Sequence, residues 1–92
     1  MLFRSAAIGV RVMGDDPDLF VGKPAPDPFL LAARRLGVSP EFCWAFEDSP
    51  AGARSAVLAG CQVHVLLAPG LACGDYPVGV RCVRSLQEIR LS

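Results

Sequence analysis

The sequence predicts an α/β fold, a parallel sheet of three to four strands with helices, on three observations. Residues 42–46 and 62–67 are apolar runs of strand length, the first with aromatic members and bounded by Pro40 and Pro50. The stretch between them opens on Ser49-Pro50, sets Ala53, Ala56 and Val57 along one side and stops at Gly60, as a helix does. Strand, helix and strand in that order form a βαβ unit, for which a right-handed parallel crossover is the expected connection.

Residues 8–13 are the first expected strand, an edge strand because Gly9 weakens it and Arg11 must point outward or reach a partner. Gly14-Asp15-Asp16-Pro17-Asp18 then supplies turn formers, and residues 19–26 cross the surface as a loop. The three acids of this segment suit a solvated turn better than a metal site, and their spacing does not match a calcium-binding loop. Asp27-Pro28 opens the first helix, with Asp27 as N-cap and Pro28 at the first helical position. Phe29, Ala32, Ala33 and Leu36 recur at helical spacing, Arg34 and Arg35 complement the dipole, and Gly37 ends the helix. The small side chains of the second helix let it lie close against a sheet. Beyond residues 62–67, Pro69-Gly70 stops the chain, residues 71–79 form a loop and residues 80–83 a final short strand. Ser85-Leu86-Gln87-Glu88 has the capping-box pattern and predicts a terminal helix through Leu91.

The chemistry is expected where the strand at 42–46 stops at two adjacent carboxylates, Glu47 and Asp48. Open α/β sheets place ligands at the carboxyl ends of their strands, where loops and the positive ends of helices converge. Two like charges so close resist joint ionisation unless a cation offsets them, and an all-oxygen pair suits a hard ion such as Mg²⁺. The simpler alternative is that both acids only favour the N-terminus of the following helix through its dipole. Lys23, the sole lysine, lies in Gly22-Lys23-Pro24-Ala25-Pro26-Asp27, where two prolines stiffen the backbone behind it. It presents a point charge that can neutralise a phosphate or a carboxylate cluster, or else a solvated loop cation.

Ninety-two residues make a single small domain at most, and 52% hydrophobic residues suffice for a modest core. With zero formal charge and scattered arginines, the chain has no electrostatic footprint for nucleic acid or for an anionic membrane. No apolar run approaches a membrane span and the first residues do not resemble a signal peptide, so the expected compartment is the cytoplasm. Cys43, Cys61, Cys73 and Cys82 include no C-x-x-C pair and no nearby histidine partner, which argues against a zinc site or a thioredoxin-like centre, and Cys43 and Cys82, in expected strands, are expected as small apolar filling. His64 is expected to be structural or at the surface.

Gly-Lys-Pro-Ala-Pro-Asp at 22 to 27, followed by Phe-Glu-Asp-Ser-Pro-Ala-Gly at 46 to 52, with Ala59-Gly60 closing the second helix, resembles the haloacid dehalogenase (HAD) superfamily. The likeness runs from about residue 12 to the end. It lies nearest the phosphatase and phosphomutase branch that includes pseudouridine-5'-phosphatase, glycerol-3-phosphatase and β-phosphoglucomutase. Met13-Gly14-Asp15-Asp16-Pro17 is similar to the pseudouridine-5'-phosphatase group in particular. The resemblance implies a partial Rossmann-like core and a Mg²⁺-dependent phosphatase of a small phosphorylated metabolite, a sugar or nucleoside phosphate, acting through an aspartyl-phosphate. It implies that Lys23 contacts the nucleophile and the transferring phosphoryl group. Asp48 is implied as a direct Mg²⁺ ligand and Glu47 as a direct or water-mediated one, while Ser49 caps the helix rather than reacting.

The family's nucleophile and general acid/base belong to an Asp-x-Asp motif on a central strand near the N-terminus, followed by a phosphate-binding Ser or Thr. No counterpart is recognised here, since Asp15-Asp16 precedes the lysine too closely and belongs to another loop. The helical cap that selects substrate also has no counterpart. Residues 1–92 are therefore expected to be the C-terminal part of a HAD-like core, inactive alone. A signalling receiver domain also combines acids, Mg²⁺ and a lysine, but its lysine follows the phospho-accepting aspartate, and no lysine follows Asp48. The remaining alternative is a noncatalytic remnant or interaction module. On either reading, a sheet edge left open by a missing central strand would invite self-association.

Overall fold

The computed structural model describes residues 2–4, 9–10, 16–19 and 21–84. Five strands form one sheet, β1 (Leu2–Arg4), β2 (Gly9–Val10), β3 (Cys43–Glu47), β4 (Gln62–Leu66) and β5 (Val80–Val83), in the order β2-β1-β3-β4-β5. The strands β3, β4 and β5 run parallel, with Ala45 beside Val63 and Val65 beside Cys82, so the predicted parallel core is present. Two helices, α1 (Asp27–Leu36) and α2 (Pro50–Ala59), complete it. Short 3₁₀ turns at Pro40–Phe42 and Cys73–Asp75 lead into β3 and interrupt the loop before β5.

Side-chain alternation decides which face of the sheet the helices cover. Cys43 and Ala45 of β3 with Val63 and Val65 of β4 point to one side, and Phe29, Ala32 and Ala33 of α1 with Ala53 and Ala56 of α2 pack against them. Ala45, Ala53, Ala56 and Val65 are wholly buried. Alanines at the contact allow α2 to approach the sheet closely, as its composition predicts. The opposite face carries Trp44, Phe46 and His64. The imidazole lies 5.3 Å from the Phe46 ring and 5.1 Å from the Trp44 ring. His64 is thus a buried structural histidine, as expected.

Three of the four helix ends behave as the sequence indicates. Ser49 is the N-cap of α2, its hydroxyl accepting the Gly52 N–H at 3.0 Å, and Gly60 ends the helix at a φ of 91°. Gly37 likewise ends α1 at a φ of 71°, a left-handed geometry that a side chain resists. One cap differs from expectation: Pro26 occupies the N-cap of α1 and Asp27 is its first helical residue. Pro26 has no hydroxyl or carboxylate to cap with, so Asp27 contributes through the dipole instead.

Three further expectations change. The edge of β3 is not open, because β1 pairs with it antiparallel, Leu2 opposite Ala45 and Arg4 opposite Cys43, and β2 pairs in turn with β1. Self-association through an edge left bare beside β3 is therefore not what this sheet offers; its outer strands are β2 and β5. Of the strand expected at 8–13, Gly9–Val10 is present at that outer edge, and β1 was not foreseen. The rest of that segment, and the helix expected through Leu91, lie outside the described residues. Cys82 is not apolar filling: it forms a disulfide with Cys73, whose Cα stands 5.9 Å away. Cys43 and Cys61 remain thiols, and burial raises the pKa of both, Cys61 to about 12, so neither is a thiolate near neutral pH.

Candidate functional site

The strand β3 ends at Glu47, and Asp48 and Ser49 carry the chain into α2. Lys23, far away in sequence, arrives at the same point: its Nζ donates to Glu47 Oε1 at 2.5 Å. The Glu47 side chain is 8% exposed and that of Lys23 42%, so the carboxylate is sheltered while the ammonium still faces solvent. Screening at such a half-wet pair limits its contribution to stability to about 1 kcal/mol or less. Its value is positional. The ammonium also lies 5.7 Å from the centre of the Phe29 ring, whose face attracts it.

The loop that carries Lys23 is anchored from behind. Ala25 N–H closes a turn onto the Gly22 carbonyl at 3.1 Å, and the Lys23–Pro24 peptide is cis. The Ser55 hydroxyl, fully buried on α2, donates to the Ala25 carbonyl at 2.5 Å. Helix α2 thus holds the lysine loop with Ser55 while its own N-terminus follows the two acids.

Gly52 explains how Glu47 can fold over that N-terminus. A Cβ at this position would stand 1.7 Å from Glu47 Oε1 and 2.9 Å from Ser49 Oγ. The missing side chain is the space that the Glu47 carboxylate fills. Asp48 is exposed, and its backbone carbonyl accepts a hydrogen bond from the Tyr76 hydroxyl at 2.7 Å.

The acids of the earlier turn have a different role. Arg35 donates through Nη1 to Asp16 Oδ2 at 2.5 Å and through Nη2 to Asp16 Oδ1 at 2.9 Å and Asp18 Oδ2 at 3.0 Å. Hydrogen bonding to Arg35 lowers the Asp16 pKa, and the same bonds raise that of the guanidinium. These carboxylates pin the turn to α1. Nearby, Asp18, Leu19, Asp27, Leu30, Leu31 and Arg34 line an open hollow of about 240 Å³ that includes none of Lys23, Glu47 and Asp48. Among the described residues no group of three or more His, Cys, Asp or Glu side chains could hold a metal.

Two adjacent carboxylates nonetheless suit Mg²⁺, which is commonly held by one or two protein carboxylates and otherwise keeps its waters or takes phosphate oxygens. Asp48, exposed, offers direct oxygen donors. Glu47, drawn to Lys23, fits a ligand that works directly or through water. The arrangement can hold a hard cation and a phosphate-bearing group next to each other, with a lysine to share the negative charge.

Sequence reasoning brought Lys23, Glu47 and Asp48 to one site, and the structure places Lys23 against Glu47 with Asp48 next in the chain. It assigned no role to Gly52, Ser55 or Tyr76. A glycine in the first turn of a helix is a visible signal of close approach. Ser55, beside Ala56 on the buried side of α2, is a weaker one. Tyr76 sits in a stretch without pattern, and nothing local marks it.

The profile of the haloacid dehalogenase-like hydrolases matches residues 2–60. Hexitol phosphatase A of Escherichia coli is 45% identical over 60 residues, which cover 58% of this chain and 28% of that protein. A probable pseudouridine-5'-phosphatase of Drosophila melanogaster is 49% identical over 59 residues, 62% of this chain and 26% of the relative. A HAD family hydrolase of Deinococcus radiodurans, solved with bound phosphate and sodium, superposes with a TM-score of 0.65 at 37% identity, over 73% of this chain and 32% of its own. The chain therefore spans about a third or less of the length of these proteins.

Proposed function

The chain belongs to the haloacid dehalogenase-like hydrolase family, and from that premise we propose that it supplies the lysine and metal-binding acids of a Mg²⁺-dependent phosphatase acting on a small phosphorylated metabolite. The observation that carries the proposal is the Lys23 Nζ–Glu47 Oε1 contact of 2.5 Å beside Asp48, at the carboxyl end of a parallel strand. In this reading Asp48 binds the ion directly and Glu47 binds it directly or through water. When bound, Mg²⁺ neutralises charge on the transferring phosphoryl oxygens and orients them. Lys23 adds a preorganised cation on the same group, and phosphoryl transfer depends mainly on positioning and charge of this kind. Sugar and nucleoside phosphates are the substrate class, by analogy with the relatives' names.

The aspartyl-phosphate route needs a nucleophilic carboxylate beside Lys23. Asp16 and Asp18 are engaged by Arg35, and we assign them no part in the chemistry. The 92-residue chain is accordingly expected to give no turnover of p-nitrophenyl phosphate with Mg²⁺. In a phosphatase that carries this segment together with a nucleophile, Lys23→Ala or Asp48→Ala should each lower kcat by roughly a hundredfold or more. Full activity in either variant would remove that residue from the site. Turnover by the 92-residue chain that vanishes in both variants would show instead that it is catalytically sufficient.

One observation favours a second reading, a noncatalytic module: β1 already occupies the β3 edge as far as Ala45. Mg²⁺ titration separates the two, since a noncatalytic module has no need of an ion at Asp48.

A further inference from the structure

Tyr76 is the only tyrosine in the chain. It is 7% exposed and packs in the core cluster with residues of α1, α2, β3 and β4. A buried phenol is costly unless its hydroxyl is satisfied. This hydroxyl has two partners, donating to the Asp48 carbonyl at 2.7 Å and accepting from the Ala68 N–H at 3.2 Å. Asp48 follows β3 and Ala68 follows β4, and these strands are parallel neighbours, so one side chain joins the loops at two adjacent carboxyl ends.

The phenol is itself held from the third parallel strand. The Tyr76 N–H donates to the Cys73 carbonyl at 3.1 Å, and Cys73 is bonded to Cys82 in β5. Asp48, in contrast, lies one residue beyond the last paired position, Glu47 beside Val65. Without the phenol, its carbonyl would face water and its peptide plane could turn, carrying the carboxylate with it.

Resting on the reading of Asp48 and Glu47 as Mg²⁺ ligands, we infer that Tyr76 is a positioning residue of that site. It fixes the backbone from which the Asp48 carboxylate projects and so raises the affinity for the ion. It touches neither ion nor substrate. The loop between β4 and β5 thereby becomes part of the site's support.

The test is a Mg²⁺ titration of the full 92-residue chain followed by amide NMR at Asp48 and Ser49, in wild type and Tyr76→Phe. Loss of one hydrogen bond predicts an affinity roughly three- to tenfold weaker in Tyr76→Phe. A folded Tyr76→Phe with wild-type affinity, whatever its melting temperature, overturns the inference, because a merely structural tyrosine would lower only the melting temperature. No response at Asp48 in the wild type would sink the metal reading itself and this inference with it. Should Tyr76→Phe fail to fold, the wild type labelled with 3-fluorotyrosine decides, since it gives a single ¹⁹F resonance. Movement of that resonance with the same midpoint as the Asp48 amide supports the role, and an unmoved resonance refutes it.

Discussion

At the scale of single residues, the geometry of the candidate site depends as much on an absent side chain as on charged ones. Replacing glycine by alanine inside a helix ordinarily stabilises it by about 1 kcal/mol. At Gly52 the new Cβ would instead fall 1.7 Å from Glu47 Oε1, the tip of a side chain that can swing away. Gly52→Ala is therefore expected to fold with a stability within about 1 kcal/mol of wild type while Glu47 leaves Lys23. Because the chain has one lysine, its side-chain NMR signal reports the pair directly. A Lys23 signal unchanged in Gly52→Ala would show that the glycine does not set the geometry. Lys23 and Glu47 were legible as candidates because each stands in an unusual local setting. Their meeting was a matter of tertiary contact.

Helix α2 is the element on which the site is mounted. Its N-cap Ser49 follows the acids, Gly52 makes room for one of them, and Ser55, one turn on, ties down the Lys23 loop. Ser55→Ala removes the donor to the Ala25 carbonyl and leaves that acceptor partly shielded from water. The expected cost is about 1–2 kcal/mol in chemical denaturation, with a Lys23 loop that exchanges its amides faster. Unchanged stability together with unchanged protection at residues 22–25 would contradict this. Capping and periodicity made α2 readable to the residue, from Ser49 to Gly60, since those signals are local. At α1 the same signals misplaced the cap by one position, because Pro26 takes the helical turn ahead of Asp27.

Across the whole molecule the sheet has two unlike faces. One is covered by α1 and α2; the other sets His64 against Trp44 and Phe46, with its Nδ1 buried and without a hydrogen-bond partner. Burial, and secondarily the Arg81 charge, lower the His64 pKa from its ordinary value of 6.5. Between that lowered value and about 6.5 the unfolded chain binds a proton that the folded chain does not, so stability falls as pH falls through this window. His64 is the only histidine. The melting temperature of the wild type should therefore drop between about pH 7 and pH 5, while His64→Phe, which keeps the aromatic packing, should be nearly flat there. Equal slopes in the two proteins would show that this imidazole is not the cause.

Local pattern by itself determined the parallel βαβ core and both helix stops, and it singled out Lys23, Glu47 and Asp48 as candidates, because short apolar runs, caps and motif spacing are properties of neighbours along the chain. Only the tertiary structure decided that β1 covers the edge of β3, that Cys73 and Cys82 join, that Gly52 leaves room for the Glu47 carboxylate, and that Ser55 and Tyr76 bond to the backbone at Ala25 and Asp48. Each of those facts pairs groups from different segments, and the choice among possible partners is made when the helices pack on one face of the sheet and bring particular backbone carbonyls within reach of particular hydroxyls.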